Sequence, residues 1–101
     1  MGWIRVADPG ALAPGQCMSL YAEGKDLALY NVDGEYFCTD NSCPHRDGPL
    51  GEGDLEDGIV TCPWHAWQFD VRTGEALYNA GSCVRTYAVQ LRDDGVYADL
   101  P

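Results

Sequence analysis

The chain has 101 residues, 46% of them hydrophobic, and six basic against sixteen acidic side chains leave a formal net charge of −10. This length suits a single domain and is short for two with separate cores, while the charge repels phosphate backbones and anionic lipid and so argues against nucleic acid as a partner. No stretch is apolar for long enough to span a membrane, and residues 1–20 contain Asp8 and two prolines where a secretory leader needs an unbroken apolar run.

Residues 3–7 alternate in polarity as a strand does, and Asp8-Pro9-Gly10 breaks the pattern. After a second turn at Pro14-Gly15, residues 17–22 are again strand-like. Residues 25–32 hold an apolar run around Leu27, Leu29 and Tyr30, and Asp33-Gly34 separates them from Tyr36-Phe37-Cys38-Thr39, the length and chemistry of a tight hairpin. Residues 40–57 are dense in Gly, Pro, Asp and Glu and almost without period; so long a stretch in a small domain usually carries function. Ile59-Val60-Thr61 leads into a short loop, after which Trp67, Phe69 and Val71 alternate, so a hairpin is expected to carry each of the two loops described next. Arg72-Thr73-Gly74 turns the chain, and Tyr87, Val89 and Leu91, a turn at Asp93-Asp94-Gly95, and residues 96–100 form a closing hairpin. With no repeat and no amphipathic helix of three turns, the expected fold is all-β, a small antiparallel β-sandwich or barrel.

The chemistry gathers in two loops, Cys43-Pro44-His45 and Cys62-Pro63-Trp64-His65, with sixteen residues between His45 and Cys62. These are the only histidines in the chain, and thiolate and neutral imidazole are both good transition-metal ligands. A zinc finger usually groups like ligands, whereas here each loop offers one of each kind; that pattern suits a two-iron cluster with one iron on two thiolates and the other on two imidazoles. Zinc in the same four ligands remains open on the pattern alone. Each residue also has a plain reading, cysteine as a small buried hydrophobe and Pro44 and Pro63 as turn formers. Cys17, Cys38 and Cys83 bring the cysteines to five, an odd number at scattered spacing that does not read as an extracellular disulfide framework; the expected compartment is the cytoplasm.

C-P-H-R-x-G beginning at Cys43, followed by further glycines, and C-P-W-H-A-W-x-F-D beginning at Cys62 resemble the Rieske iron–sulfur family. The resemblance covers the central third closely, and the length is similar to that of a free-standing Rieske ferredoxin. It implies one [2Fe–2S] cluster per chain, with Cys43 and Cys62 on the inner iron and His45 and His65 on the outer. It also implies a single Rieske domain, with a cluster-binding subdomain near residues 40–82 inserted into a base made from residues 1–39 and 83–101. Gly48, Gly51, Gly53 and Gly58 are expected to allow tight backbone conformations, some presenting amide groups to cluster sulfurs. Trp67 reads as a core aromatic and Trp64, between two ligands, as a cover for the cluster. The shielding loop that the family often supplies with a proline would here fall at residues 79–83, which contain none.

Two imidazoles in place of thiolates leave the oxidised cluster formally neutral, which raises its potential; the class spans about −150 to +300 mV. Respiratory Rieske proteins resemble this chain in the ligands but add a disulfide between the loops, where Gly48 and Trp64 stand here, and a serine and tyrosine where Trp67 and Phe69 stand. With fewer donors the expected potential lies near the low end, roughly −150 to −50 mV. Rieske oxygenases need a second, mononuclear iron held by two histidines, and both histidines here are already used, so the chain is expected to be an electron carrier and not an enzyme. The implied partners are a flavin-containing NAD(P)H-dependent reductase, because hydride delivers two electrons and the cluster takes one, and a terminal oxygenase. Alternatives are the small subunit of an assimilatory nitrite reductase, and a zinc- or cluster-stabilised interaction module without electron transfer. A monomer is expected, with Pro44, Leu50, Pro63 and Trp64 as an apolar contact surface ringed by Asp47, Glu52, Asp54, Glu56 and Asp57.

Overall fold

The structure is a computed structural model that describes residues 2–42, 48–64, 66–78 and 81–101. Its strands are β1 (Gly2–Ala7), β2 (Cys17–Ala22), β3 (Lys25–Val32), β4 (Glu35–Asp40), β5 (Asp54–Glu56), β6 (Ile59–Thr61), β7 (Gln68–Asp70), β8 (Thr86–Tyr87), β9 (Val89–Arg92) and β10 (Gly95–Leu100), with one 3-10 turn at Leu50–Glu52. They pair into three sheets, ordered β1-β10-β9, β2-β3-β4-β8 and β5-β6-β7, and every pairing among the described residues is antiparallel. The all-β antiparallel fold expected from the sequence is the one found. Among the described residues no helix is long and apolar enough to cross a membrane.

β3 explains how three small sheets make one body. Its sequence, KDLALYNV, is buried from Leu27 to Val32, and its alternating side chains enter different cores. Leu27 and Leu29 join Ala7, Cys38, Tyr87, Val96, Ala98 and Leu100 in one core. Ala28, Tyr30 and Val32 join Leu50, Val60, Cys62, Phe69, Val71 and Val84 in the other. The second core therefore lies under the β5-β6-β7 sheet and contains one of the candidate metal ligands. Glu23-Gly24, Asp33-Gly34 and Asp57-Gly58 are two-residue turns with positive φ at both positions, 51° and 76°, 51° and 96°, 52° and 79°. This is the twist that tight antiparallel hairpins select, and glycine adopts it without a Cβ clash.

Several boundaries differ from the sequence reading. The strand expected through Trp67, Phe69 and Val71 is only Gln68–Asp70, since Val71 opens the turn that buries it. The run through Tyr87, Val89 and Leu91 is two strands: Tyr87 pairs with Cys38 and Val89 with Ala98, so the chain changes sheets at Ala88. Leu91 is cross-strand from fully buried Val96 yet 54% exposed, because β9 is an edge strand. Asp54–Glu56, expected to be irregular, is a strand whose only apolar residue, Leu55, packs against the second core. One apolar residue between two acids leaves no period to read.

Candidate metal centre

Of the four candidate ligands, Cys62 is described, while Cys43, His45 and His65 lie outside the described residues. Cys62 ends the β6 side of the β6–β7 hairpin and is 1% exposed, in the core with Val60 and Phe69. The hairpin closes its loop firmly: the Cys62 amide donates to the Trp67 carbonyl at 2.7 Å, Thr61 pairs with Gln68, and Gln68 Nε2 donates to Thr61 Oγ1 at 3.3 Å. Ala66 takes a left-handed φ of 58° inside this loop. The expectation of a hairpin therefore holds for the second loop.

It does not hold for the first. The chain enters that loop from β4 and returns through the 3-10 turn into β5, which belongs to another sheet. The neck is closed by an isolated bridge between Ser42 and Pro49, by the Leu50 amide on the Asn41 carbonyl at 2.7 Å, and by the Gly51 amide on Asn41 Oδ1 at 2.7 Å. Asn41 is 3% exposed and was not recognisable from the sequence as part of the site; an asparagine in a Gly- and Asp-rich stretch looks like any turn residue.

The two loops meet at Gly48. A Cβ on Gly48 would lie 2.7 Å from Cys62 Sγ and 3.2 Å from Trp64 Cβ, so glycine is required by the approach of the second loop, not by its dihedral angles. Gly48 and Trp64 are the two positions at which respiratory relatives place a disulfide, and here the indole packs on the glycine instead. The Trp64 amide donates to Cys62 Sγ at 3.4 Å. A buried sulfur with an amide donor and a side-chain-free face opposite fits a thiolate ligand of an iron–sulfur centre, which needs donors to spread its negative charge.

Gly51 and Gly53 do not present amides to the centre: Gly51 N–H serves Asn41, and Gly53 N–H donates to the Leu50 carbonyl at 3.0 Å. Leu50 is fully buried and is no part of an apolar contact surface. Trp67 packs against the second core as a core aromatic, 6.4 Å from the Phe69 ring, and Trp64 is 51% exposed beside Cys62. Phe69 is wholly buried and carries no hydroxyl to offer a sulfur.

The remaining described cysteines sit apart from this constellation. Cys38 lies in the other core, where burial, with Asp40 adding, pushes its thiol up to about 12. Cys17 is half-buried, with Sγ 3.4 Å from the Gly53 carbonyl, and burial and then the Asp54 and Glu52 charges raise it too. Cys83 is exposed. The raised thiols of Cys38 and Cys17 give up their protons reluctantly, which makes them poor ligands.

A family model for the Rieske [2Fe–2S] domain matches residues 2–88. The ferredoxin component of the naphthalene 1,2-dioxygenase system of Pseudomonas putida is 37% identical over 97% of this chain and 95% of its own length. Among solved structures, a ferredoxin of Sphingomonas yanoikuyae superposes with a TM-score of 0.89 at 35% identity, covering 99% of this chain and all of that one. A chain from a complex of reduced oxygenase and oxidised ferredoxin in carbazole 1,9a-dioxygenase gives 0.87 at 26% identity, covering 95% and 91%.

Proposed function

This chain belongs to the Rieske [2Fe–2S] domain family, and on that premise we propose that it is the ferredoxin of a ring-hydroxylating oxygenase system, carrying single electrons from a flavoprotein reductase to a terminal oxygenase in the cytoplasm. The observation that supports this most is the match with a dioxygenase-system ferredoxin component over 97% of this chain and 95% of that relative's own length. In this reading Cys43 and Cys62 bind one iron and His45 and His65 the other, within a cluster-binding part near residues 40–82. When bound, the cluster supplies reversible one-electron chemistry.

The protein's own residues bind, shield and present that centre. The second core buries Cys62 on its inner side, Trp64 N–H donates to the Cys62 sulfur, and the Trp64 side chain is half exposed. On the outer face of the β5-β6-β7 sheet, register aligns Asp54 with Thr61 and Gln68, and Glu56 with Ile59 and Asp70. Leu77 continues the first row, its amide on the Gln68 carbonyl at 3.0 Å, and Tyr78 is 82% exposed. Asp54, Glu56, Asp57, Thr61, Leu77 and Tyr78 border a groove of about 360 Å³ that begins one residue before Cys62. Arg72 does not line this groove; its guanidinium lies 5.4 Å from the Phe37 ring centre. An acid-walled, partly aromatic groove beside the centre complements a basic patch on a redox partner.

Stopped-flow mixing of the reduced protein with a purified ring-hydroxylating oxygenase should give rapid reoxidation that slows as salt rises from low to moderate. Electron delivery to an assimilatory nitrite reductase but to no oxygenase would replace this assignment. A rate flat in salt would remove the acidic docking face and leave the carrier role.

A further inference from the structure

Asn41 is the point where three separate segments are tied to the first ligand loop. Its Oδ1 accepts from Gly51 N–H at 2.7 Å, and its Nδ2 donates to Ser19 Oγ and to Asp26 Oδ1, each at 3.1 Å. Its backbone amide donates to the Asp26 carbonyl at 3.0 Å, and its carbonyl accepts from Leu50 N–H at 2.7 Å. The carboxamide thus has both hydrogens and its oxygen engaged while 3% exposed, and no other orientation serves a Gly51 donor. Gly51 is pressed on the same seam: a Cβ there would lie 2.5 Å from the Ser19 nitrogen and 2.6 Å from the Met18 carbonyl carbon. The return of the first loop therefore rests directly on the β2 backbone, and the one side chain that ties it there stands two residues before Cys43, beside the backbone bridge of Ser42 to Pro49.

We propose that Asn41 is a positioning residue for the iron–sulfur centre, locking the return of the first ligand loop to β2 and β3 so that Gly48 keeps its seat against Cys62 Sγ and Trp64. This rests on the cluster reading above. A neck loosened at Asn41 lets Gly48 shift from its seat against Cys62 Sγ and Trp64, whose amide donates to that sulfur at 3.4 Å; weakening this donor destabilises the reduced, more negative state, so release lowers the reduction potential. It also opens the cluster to chelators.

The test uses the purified, cluster-containing protein and three variants. Asn41→Ala should lose its cluster to a ferrous chelator at least tenfold faster than the parent, and its reduction potential should fall. Ser19→Ala, which removes one acceptor from Nδ2, should move both in the same direction by less. Val96→Ala, in the other core, should lower Tm and move neither. If Asn41→Ala lowers Tm as Val96→Ala does while chelation rate and potential stay at parental values, Asn41 is structural only and the proposal is overturned. Should Asn41→Ala not fold, Ser19→Ala decides by the same two readouts. A parent protein that contains no iron and sulfide defeats the cluster reading instead, which keeps the two failures distinct.

Discussion

The two cores that share β3 are built on different principles. The core beneath β1, β9 and β10 is closed by long pairings: β1 with β10 from Gly2↔Leu100, β2 with β3 from Cys17↔Tyr30 and β3 with β4 from Leu27↔Asp40. The core beneath β5, β6 and β7 has strands of three residues each, and its order depends on turns, on the Gly48 contact and on Asn41. Sheets this small do not hold themselves together without further support. Bonds from both loops to one centre would supply it, because folding of such a site is coupled to metal binding.

The strongest way to break this comparison is to remove a ligand. Alanine at Cys43, His45, Cys62 or His65 should abolish or severely deplete the visible spectrum, and should release amide protection in residues 54–70 while leaving it in β1 and β10. Uniform loss of protection by hydrogen exchange would mean that the two cores do not differ in metal dependence. Alanine at Cys17 or Cys83 should leave the spectrum intact.

A smaller effect is expected from the apolar contacts. Phe69→Ala empties a fully buried site in the metal-side core and should cost about 3–5 kcal/mol in denaturant unfolding, with accelerated cluster loss. An equal loss of stability with unchanged cluster retention would show that the core does not brace the loops.

How much of this was legible follows the same division. Long strands such as residues 17–22 and 25–32 were read at their observed limits because strand-like composition, an apolar run and turn pairs such as Pro14-Gly15 and Asp33-Gly34 are local signals. Of the four proposed ligands only Cys62 lies among the described residues, while the family was legible in the ligand pairs, because thiol and imidazole at matched spacing have few other uses. Asn41, the β5 strand and the burial of Leu50 were not, since each depends on partners distant in sequence: Asn41 on Ser19, Asp26 and Gly51, and β5 on β6. Gly48 was marked as a glycine of interest, but its reason, the sulfur of Cys62 at the place of its missing Cβ, is purely tertiary.

Smaller still is the effect of alkaline pH, which sharpens the contrast from the base. Burial raises Cys38 from 9.0 to about 12, and burial with a 2.6 Å bond to Asp40 raises Tyr87 from 10.0 to about 12. Both groups stay protonated in the folded state while the unfolded chain releases their protons, so their contribution is complete below about pH 9 and is lost as pH climbs toward 12. Unfolding free energy should be level in this respect from pH 7 to 9 and fall above it, and Cys38→Ser should flatten part of the fall. A fall beginning below pH 8 would point to other groups.

The most direct test of the central claim, a two-iron centre with imidazoles on one iron, is pulsed EPR of the reduced protein with ¹⁵N-histidine incorporated. Because His45 and His65 are the only histidines in the chain, every histidine coupling is assigned without mutagenesis. Two strongly coupled ¹⁵N nuclei on a one-electron-reduced [2Fe–2S] signal are the predicted result. One coupling, none, or a protein that holds stoichiometric zinc and gives no signal would contradict it.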